Sequence, residues 1–283
     1  MTYKIIGDSC LDLTEEMKKE GHFQMVPLTL QVGERMVVDD ETFDQKRFLE
    51  LVKSSSQCPK TACPSPEMFK EAYRRAGTDM VFVITLSKHL SGSFNSALLA
   101  KNLYEEEERE AGRKPARVEL IDSLSASSGE LGVALYIQGL FEAGIYGDQA
   151  VEEALAYRDR MKTYFVLETL DTLRKNGRLS GLQAFFATAL NIKPVMGANQ
   201  GVIVKLDQAR GIGRALQRMC AIAAREAGSR AKTAVIAHCN NRERAEYVKA
   251  ELLKRIPLER VVITETAGVA TVYAGDGGIV LAV

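Results

Sequence analysis

The alternation of short β-branched runs with longer amphipathic segments constrains the fold of this 283-residue chain more than any other feature. The runs predict these strands: Tyr3–Gly7, Met80–Thr85, Arg117–Ile121, Thr163–Leu167, Val202–Leu206, Thr233–Ala237, Arg260–Glu265 and Ile279–Val283. The amphipathic segments predict these helices: Pro66–Ala76, Gly92–Glu108, Ala126–Glu142, Gly147–Met161, Ala209–Ala227 and Arg242–Arg255. Such alternation favours parallel strands with helices on both faces. The sequence therefore predicts the α/β class, with mostly parallel sheets flanked by helices.

The length of the chain favours two domains, because a single hydrophobic core rarely grows beyond about 250–300 residues. A boundary is expected near residue 160, where the predicted helix Gly147–Met161 leads into a strand and the alternation starts again. We therefore predict one α/β domain in residues 1–160 and a second in residues 161–283.

Charge and cysteine content exclude several classes of protein. Lys plus Arg and Asp plus Glu both number 37, so the clustered basic excess of a nucleic-acid binder is not expected. The five cysteines form no C-x-x-C pair and the three histidines lie far apart, which argues against a metal site. No signal peptide or bilayer-spanning run is recognised, so we expect a cytoplasmic protein with reduced thiols.

Two hydroxyl-rich loops are candidate anion sites, because open α/β sheets bind ligands beyond the carboxyl ends of their strands. In one loop, Ser91-Gly92-Ser93 lies where a predicted helix begins, and unpaired N–H groups and the helix dipole favour an anion there. The other loop carries Thr61 just before Pro66, the predicted first residue of a helix. In both loops, simple helix capping is the alternative interpretation.

A third loop places Arg178 before a long uncharged stretch. Apolar side chains at helical spacing follow, and they either belong to an ordinary core or line an apolar tunnel with Arg178 at its mouth: Leu182, Phe185, Phe186 and Leu190. Further on, Arg210, Arg214 and Arg218 recur every four residues and would share one helix face. That face is either solvated or contacts a partner.

Short motifs in a fixed order carry a resemblance to a known family. They are D-S-x-x-D-L (Asp8–Leu13), V-P-L (Val26–Leu28), Thr61 with P-S (Pro64–Ser65), L-S-G-S (Leu90–Ser93), I-D-S (Ile121–Ser123), G-R-L-S (Gly177–Ser180), I-K-P (Ile192–Pro194) and R-G (Arg210–Gly211). The chain resembles, nearly end to end, the DegV family of fatty-acid-binding proteins, the lipid-carrying subunits of bacterial fatty acid kinase.

The resemblance implies one long-chain fatty acid in an apolar tunnel between two α/β domains, with no other cofactor. Carried over by motif, the hydroxyls of Thr61 and Ser93 and the backbone of Gly92 hold the carboxylate. The tunnel would then include the apolar residues that follow Arg178. Residues 1–160 would supply the carboxylate-binding loops, and residues 161–283 would contribute to the tunnel.

The implied partner is the catalytic subunit of a fatty acid kinase, which would convert the presented carboxylate into an acyl phosphate. Arg178, Arg210 and Arg214 are the candidates for partner docking or anion binding. A transient contact with a membrane is a further expected interaction. No nucleotide-binding loop of the G-x-x-x-x-G-K-[ST] type is present, which agrees with a carrier that leaves the chemistry to its partner.

The chain departs from the family pattern near its C-terminus. Where the family commonly has H-T-G-P-G, this sequence reads Tyr273-Ala274-Gly275-Asp276-Gly277. The histidine of that family stretch reaches the carboxylate, so the resemblance makes Tyr273 a further expected carboxylate ligand. Its phenol can donate a hydrogen bond, but it lacks the titration of an imidazole near neutral pH. Asp276 adds a negative charge that would repel a carboxylate nearby. Cys63 also replaces the usual glutamine of the T-S-Q-P-S stretch.

A serine hydrolase is the alternative function, because Gly7-Asp8-Ser9 after an apolar run is typical of GDSL esterases. Ser9 or Ser93 would be the nucleophile and would need a histidine oriented by a carboxylate. No D-x-x-H precedes any histidine, and G-x-S-x-G is absent. The interpretation of the protein as a fatty-acid carrier is therefore favoured. Asp8 and Ser9 would then end the first strand at the ligand-facing edge, and Asp12 and Thr14 would cap a helix beginning near Glu15.

Overall fold

The first sheet follows the predicted strand–helix alternation. The computed structural model describes residues 1–179, 191–228 and 231–283. The sheet has the order β2-β1-β6-β7 with every neighbouring pair parallel. Its strands are β1 (Tyr3–Asp8), β2 (Phe23–Val26), β6 (Met80–Thr85) and β7 (Arg117–Asp122). All residues of β6 are buried, as expected where helices cover both faces of a parallel sheet. The predicted α/β class is confirmed.

The second sheet has six strands in the order β10-β9-β8-β13-β11-β12. They are β8 (Thr163–Val166), β9 (Ile192–Asn199), β10 (Val202–Arg210), β11 (Thr233–His238), β12 (Arg260–Glu265) and β13 (Ile279–Ala282). Only β11 and β12 are parallel among these pairs, so the expectation of mostly parallel strands holds for the first sheet alone. A tight hairpin explains part of the difference, because Gln200 and Gly201 both adopt positive φ and join β9 directly to an antiparallel β10.

Helices cover the two sheets. Those around the first sheet are α2 (Pro66–Arg75), α3 (Ser93–Glu110), α4 (Ser128–Glu142) and α5 (Gly147–Arg160). Those on the second sheet include α7 (Ile212–Ala227) and α8 (Arg242–Leu253). Helix α4 contacts β6 of the first sheet and β11 and β13 of the second, which explains why it is buried almost all round. The hydroxyl of Ser128 fixes this position by donating to Val280 O at 2.8 Å and accepting from Ala237 N at 3.0 Å.

A small third sheet and three short helices complete the described fold. The sheet has the order β4-β3-β5 with antiparallel pairing, and consists of β3 (Thr29–Val32), β4 (Arg35–Val38) and β5 (Lys60–Ala62). The helices are α1 (Gln45–Ser54), α6 (Asp171–Lys175) and α9 (Gly268–Ala274). Helix α9 contacts both β3 and β5, and this contact brings the C-terminal part of the chain to the threonine on β5.

Two predicted helix starts are wrong. The chain forms only a 3-10 turn at Met17–Lys19, where a helix was expected to begin near Glu15. Asp12 adopts φ 49° and turns the chain sharply, because its carboxylate binds other parts of the fold. The helix predicted from Ala209 begins at Ile212, because β10 continues through Arg210. No observation tests the domain boundary near residue 160, which stays a prediction.

Candidate functional site

An apolar cavity lies where the small sheet and α9 meet the first and second sheets. Its empty volume is about 850 Å³, a figure that includes open solvent at its mouth. The apolar part of its wall includes Leu28, Leu86, Leu90, Phe165, Leu167, Leu173, Ile203, Val269, Ala270 and Val280. The polar side chains that line it include Thr61, Ser91 and Tyr273, together with the cation of Arg178. Such a wall suits a long apolar molecule with one anionic end.

Two hydroxyls meet in the wall of this cavity. Thr61 stands opposite Leu30 in the pairing of β5 with β3, and Tyr273 lies on α9. The oxygens Thr61 Oγ1 and Tyr273 Oη are 2.9 Å apart. Two hydroxyls carry two protons and their mutual bond uses one, so the other is free to be donated to a ligand. The structure thus brings together two predicted carboxylate ligands that are 212 residues apart in sequence.

Arg178 supplies a positive charge beside this pair. Its guanidinium carbon lies 5.8 Å from the centre of the Tyr273 ring. Its Nε donates to Leu90 O at 3.2 Å, and Nη1 donates to the backbone oxygen of Asn176. The side chain is half-buried and is held by backbone acceptors rather than by a carboxylate in these bonds, which leaves its charge available to an anion.

The Ser91-Gly92-Ser93 loop meets the cavity through its first residue. Ser91 lines the cavity, whereas Ser93 is fully buried one step behind it. Ser91 Oγ accepts from Ser93 N at 3.2 Å, and the two hydroxyl oxygens are also 3.2 Å apart. Gly92 faces Cys63, whose Sγ would lie 3.0 Å from a Cβ placed on the glycine. The predicted ligand Ser93 is therefore connected to the cavity through Ser91, which belongs to the predicted anion loop but was not predicted to bind the carboxylate itself.

Two aspartates hold the beginning of α9 and hence the position of Tyr273. Asp39 Oδ1 accepts from Gly268 N at 2.6 Å, and its Oδ2 accepts from Val269 N at 2.7 Å. Asp12 Oδ1 accepts from Ala267 N at 2.6 Å. These carboxylates satisfy N–H groups that a helix leaves without an intrahelical partner. The role of Asp39 has no local sequence signal, because its partners lie more than 220 residues away.

Comparison with known proteins decides the family. The sequence matches the profile of the DegV protein family over residues 2–283. The chain belongs to the DegV family. A DegV domain-containing protein of Streptococcus pyogenes serotype M18 is 36% identical over 285 residues, with 99% of each chain covered.

Solved structures of other DegV proteins share this fold. A DegV family protein of Ruminococcus gnavus, described with vaccenic acid, is 44% identical with a TM-score of 0.93 and 99% of each chain covered. The fatty acid kinase (Fak) B3 protein of Streptococcus pneumoniae, loaded with linoleic acid, is 32% identical with a TM-score of 0.89. Its match covers 100% of this chain and 99% of the other. Proteins similar to this DegV chain therefore bind fatty acids.

The remaining predicted site residues have separate outcomes. The tunnel candidates Leu182, Phe185, Phe186 and Leu190 lie outside the described residues, and their role stays a prediction. Arg210 and Arg214 do not share a helix face, because Arg210 ends β10 and Gly211, at φ 83°, separates it from α7. Both arginines are exposed. Asp276 accepts from Asn240 Nδ2 at 3.0 Å, so its carboxylate is engaged there.

The geometry of the two candidate nucleophiles gives no support to the hydrolase alternative. Ser9 is fully buried, and its Oγ accepts from Leu28 N at 3.0 Å. Ser93 contacts Ser91, as described above. Among the hydrogen bonds of the described residues, none joins Ser9 or Ser93 to a histidine. His22 instead stacks on Tyr3 with ring centres 4.6 Å apart, and His238 Nδ1 accepts from Asn241 N at 3.3 Å.

A group of buried carboxyls lies behind the cavity wall. Burial raises the pKa of Asp8 and of Asp39 to about 6, and that of Asp12 to about 8. Burial also raises the pKa of Glu130 well above its usual range, and the negative charge of Asp8 adds to this shift. These carboxyls do not form a metal site, since no arrangement of three or more His, Cys, Asp or Glu side chains within the described ranges would hold a metal ion.

No helix in residues 1–179, 191–228 and 231–283 combines the length and the apolar composition needed to cross a bilayer. The expected transient contact with a membrane stays a prediction.

Proposed function

We propose that this DegV protein binds one long-chain fatty acid in the cavity and presents its carboxylate to a separate fatty acid kinase, without catalysing the reaction itself. The observation that carries this proposal is an apolar cavity whose wall brings two hydroxyls, those of Thr61 and Tyr273, next to the guanidinium of Arg178. The fatty acids in the similar proteins of Ruminococcus gnavus and Streptococcus pneumoniae support the ligand class.

In this proposal the carboxylate lies at Thr61, Tyr273 and Ser91, with Ser93 behind it and Arg178 beside it. Charge-assisted hydrogen bonds from hydroxyls favour the ionised head group. The predicted division near residue 160 fits the proposal, because residues on both sides of it line the cavity. The kinase would have to reach this carboxylate, and the exposed Arg210 and Arg214 are candidate contacts for it.

The apolar wall provides most of the binding free energy. Each methylene transferred from water contributes about 0.8 kcal/mol, so roughly ten buried methylenes contribute about 8 kcal/mol. A free energy of about 8 kcal/mol corresponds to a Kd on the order of 1 µM. A chain of 16–18 carbons, as we expect for the ligand, has enough methylenes to reach this affinity without a covalent link.

The ligand is tested by extracting protein purified from a bacterial host and identifying the lipid by mass spectrometry. We expect about one fatty acid per chain, and native mass spectrometry should show the same complex. Ala270→Leu, on the cavity wall, should reduce the bound lipid because its larger side chain fills the site. Ala224→Leu on α7 is the matched control and should retain it. Protein without any lipid, which also fails to bind added oleic acid, would refute the proposal.

The carrier role is tested with a bacterial fatty acid kinase catalytic subunit and radiolabelled ATP. Acyl phosphate should form from oleic acid only when both proteins are present. Release of free fatty acid from an ester by this protein alone would instead support the hydrolase alternative.

A further inference from the structure

A second pair of hydroxyls, distinct from Thr61 and Tyr273, lies in the wall of the cavity. The oxygens Ser125 Oγ and Thr163 Oγ1 are 2.6 Å apart, and both residues line the cavity. Thr163 begins β8, and Ser125 lies in the loop between β7 and α4. Both residues are buried, so bulk solvent does not hydrate these hydroxyls. The carboxylate site proposed above leaves this pair without a role.

The strand β8 separates this pair from the proposed carboxylate site. Thr163, Phe165 and Leu167 alternate along the chain onto one face, and all three line the cavity. The apolar cluster that contains Leu167 packs against Tyr273 and Leu90, close to the carboxylate ligands. Four residues of extended chain from Leu167 back to Thr163 span about 13 Å. An extended acyl chain advances about 1.3 Å per carbon, so the pair would face the middle of a bound chain, roughly ten carbons along it.

The beginning of α4 leaves room for the two hydroxyls. A Cβ at Gly129 would lie 1.9 Å from Ser125 Oγ and 2.8 Å from Thr163 Oγ1, both closer than van der Waals contact. Alanine, which favours a helix more than glycine does, would therefore displace the pair. The neighbouring hydroxyl of Ser127 also lines the cavity, but it donates to Asp12 Oδ2 at 2.5 Å.

The hydrogen-bonding capacity of the pair is only partly used. Two hydroxyls have two protons and four lone pairs. Their mutual bond uses one proton and one lone pair, and the contact of Ser125 Oγ with Ala126 O at 3.4 Å uses at most the second proton. Three lone pairs therefore remain in every arrangement. A methylene or a carboxylate has no proton to donate to them, whereas a hydroxyl on the acyl chain does.

We propose that Ser125 and Thr163 form a subsite for a hydroxyl in the middle of the acyl chain, so that this protein accepts a hydroxylated long-chain fatty acid. This inference rests on the proposed function, because it places the carboxylate at Thr61 and Tyr273. The ligand hydroxyl donates to one of the two oxygens and so replaces the bond that it made to water. In an apolar wall without these acceptors the same hydroxyl would be buried unpaired, which lowers affinity by about 5- to 150-fold.

Competition with a fluorescent fatty acid on delipidated protein gives the Kd of matched acids. The probes are octadecanoic acid, its 10-hydroxy and 12-hydroxy derivatives, and 2-hydroxyoctadecanoic acid, whose hydroxyl lies beside the carboxylate. We expect at least one of the two mid-chain hydroxy acids to bind the natural sequence as tightly as octadecanoic acid, within about twofold, or more tightly. This comparison needs no variant, so it tests the subsite independently of how any substitution folds.

The double variant Ser125→Ala with Thr163→Val removes both hydroxyls and keeps apolar side chains in the wall. The Kd for the mid-chain hydroxy acid should rise about fivefold or more, because its hydroxyl is then buried unpaired. The Kd values for octadecanoic acid and for the 2-hydroxy acid should stay within about twofold of those for the natural sequence. Ser54→Ala with Thr233→Val is the matched control, because neither residue is among those that line the cavity, and it should leave all four values unchanged.

The outcomes separate the subsite from the proposed function. If the natural protein binds none of the four acids, the proposed function fails. If it binds octadecanoic acid but binds both mid-chain hydroxy acids about fivefold more weakly or worse, only the hydroxyl subsite is overturned. A double variant that keeps the natural preference shows that the wall accepts the hydroxyl without Ser125 and Thr163, which refutes the inference. An equal loss of affinity for octadecanoic acid would assign the pair a purely structural role and refute it as well.

Discussion

Replacing Tyr273 with phenylalanine removes one hydroxyl from the cavity mouth and keeps the ring in place. In the free protein this hydroxyl forms a neutral hydrogen bond with Thr61 at 2.9 Å. A fatty-acid carboxylate would replace that bond with charge-assisted bonds from each hydroxyl. A charge-assisted bond contributes about 1.5–3 kcal/mol, and a neutral bond about 0.5–1.5 kcal/mol. Losing Tyr273 as a donor therefore costs a net binding free energy of roughly 1–1.5 kcal/mol.

This loss corresponds to an increase of about 5- to 12-fold in the Kd for oleic acid. Calorimetric titration measures it directly, and Thr61→Val should weaken binding by a similar factor. The double variant should lose more than the sum of the two single changes, because each single variant also removes the hydroxyl–hydroxyl bond that the ligand must replace in the natural protein, and the sum counts this relief twice. A double-mutant cycle with strictly additive losses would show that the two hydroxyls bind independently.

Tyr104→Phe is the matched control for this change. Its hydroxyl accepts from Ala116 N at 3.0 Å, away from the cavity, so its loss should lower stability slightly and leave the Kd unchanged. If Tyr273→Phe stays folded and binds oleic acid within twofold of the natural sequence, the Tyr273 hydroxyl does not donate to the fatty-acid carboxylate and this prediction is refuted.

Two further predictions concern stability, measured by urea unfolding. Gly129→Ala should lower the free energy of unfolding by about 1–3 kcal/mol or more, since its Cβ would lie 1.9 Å from Ser125 Oγ. Gly139→Ala, on the same helix, adds a Cβ with no atom within 4 Å and should instead raise the free energy of unfolding by about 0.5–1 kcal/mol. If both substitutions changed the free energy of unfolding equally, crowding at position 129 would not be the cause. Burial raises the pKa of Asp12 to about 8, above its value in the unfolded chain. The contribution of this carboxyl to the free energy of unfolding is therefore fully present near pH 4 and is lost as pH rises to about 8. Asp12→Asn should therefore flatten the decline in stability between pH 5 and 8, and an unchanged slope would assign the decline to other groups.

Local patterns in the sequence predicted much of the fold. The strands Met80–Thr85 and Arg260–Glu265 have the predicted bounds, because a short run rich in β-branched and apolar residues specifies a strand by itself. The small sheet and α9 were not predicted. Their segments are short and depend on contacts with distant parts of the chain, such as the two N–H groups that Asp39 binds on α9.

The candidate site was likewise predicted only in part from the sequence. The resemblance was enough to indicate the family and to select Thr61, Tyr273 and Arg178, which line the cavity. The predicted ligands Gly92 and Ser93 are not among its lining residues. The apolar wall could not be read from the sequence, because a residue such as Phe165 has the same strand pattern whether it faces a cavity or a packed core.

The opening G-D-S motif shows where local sequence stops being sufficient. The apolar run and the residues after it determined that a strand ends at Asp8, and the structure bears this out. They could not determine what surrounds the two polar side chains. Only the packing of α4 and the loop before α3 against this strand end buries Asp8 beside Glu130 and Ser93, and seals Ser9 from solvent. Burial and the direction of hydrogen bonds are properties of the assembled neighbours, so tertiary structure alone decided the chemistry of these residues.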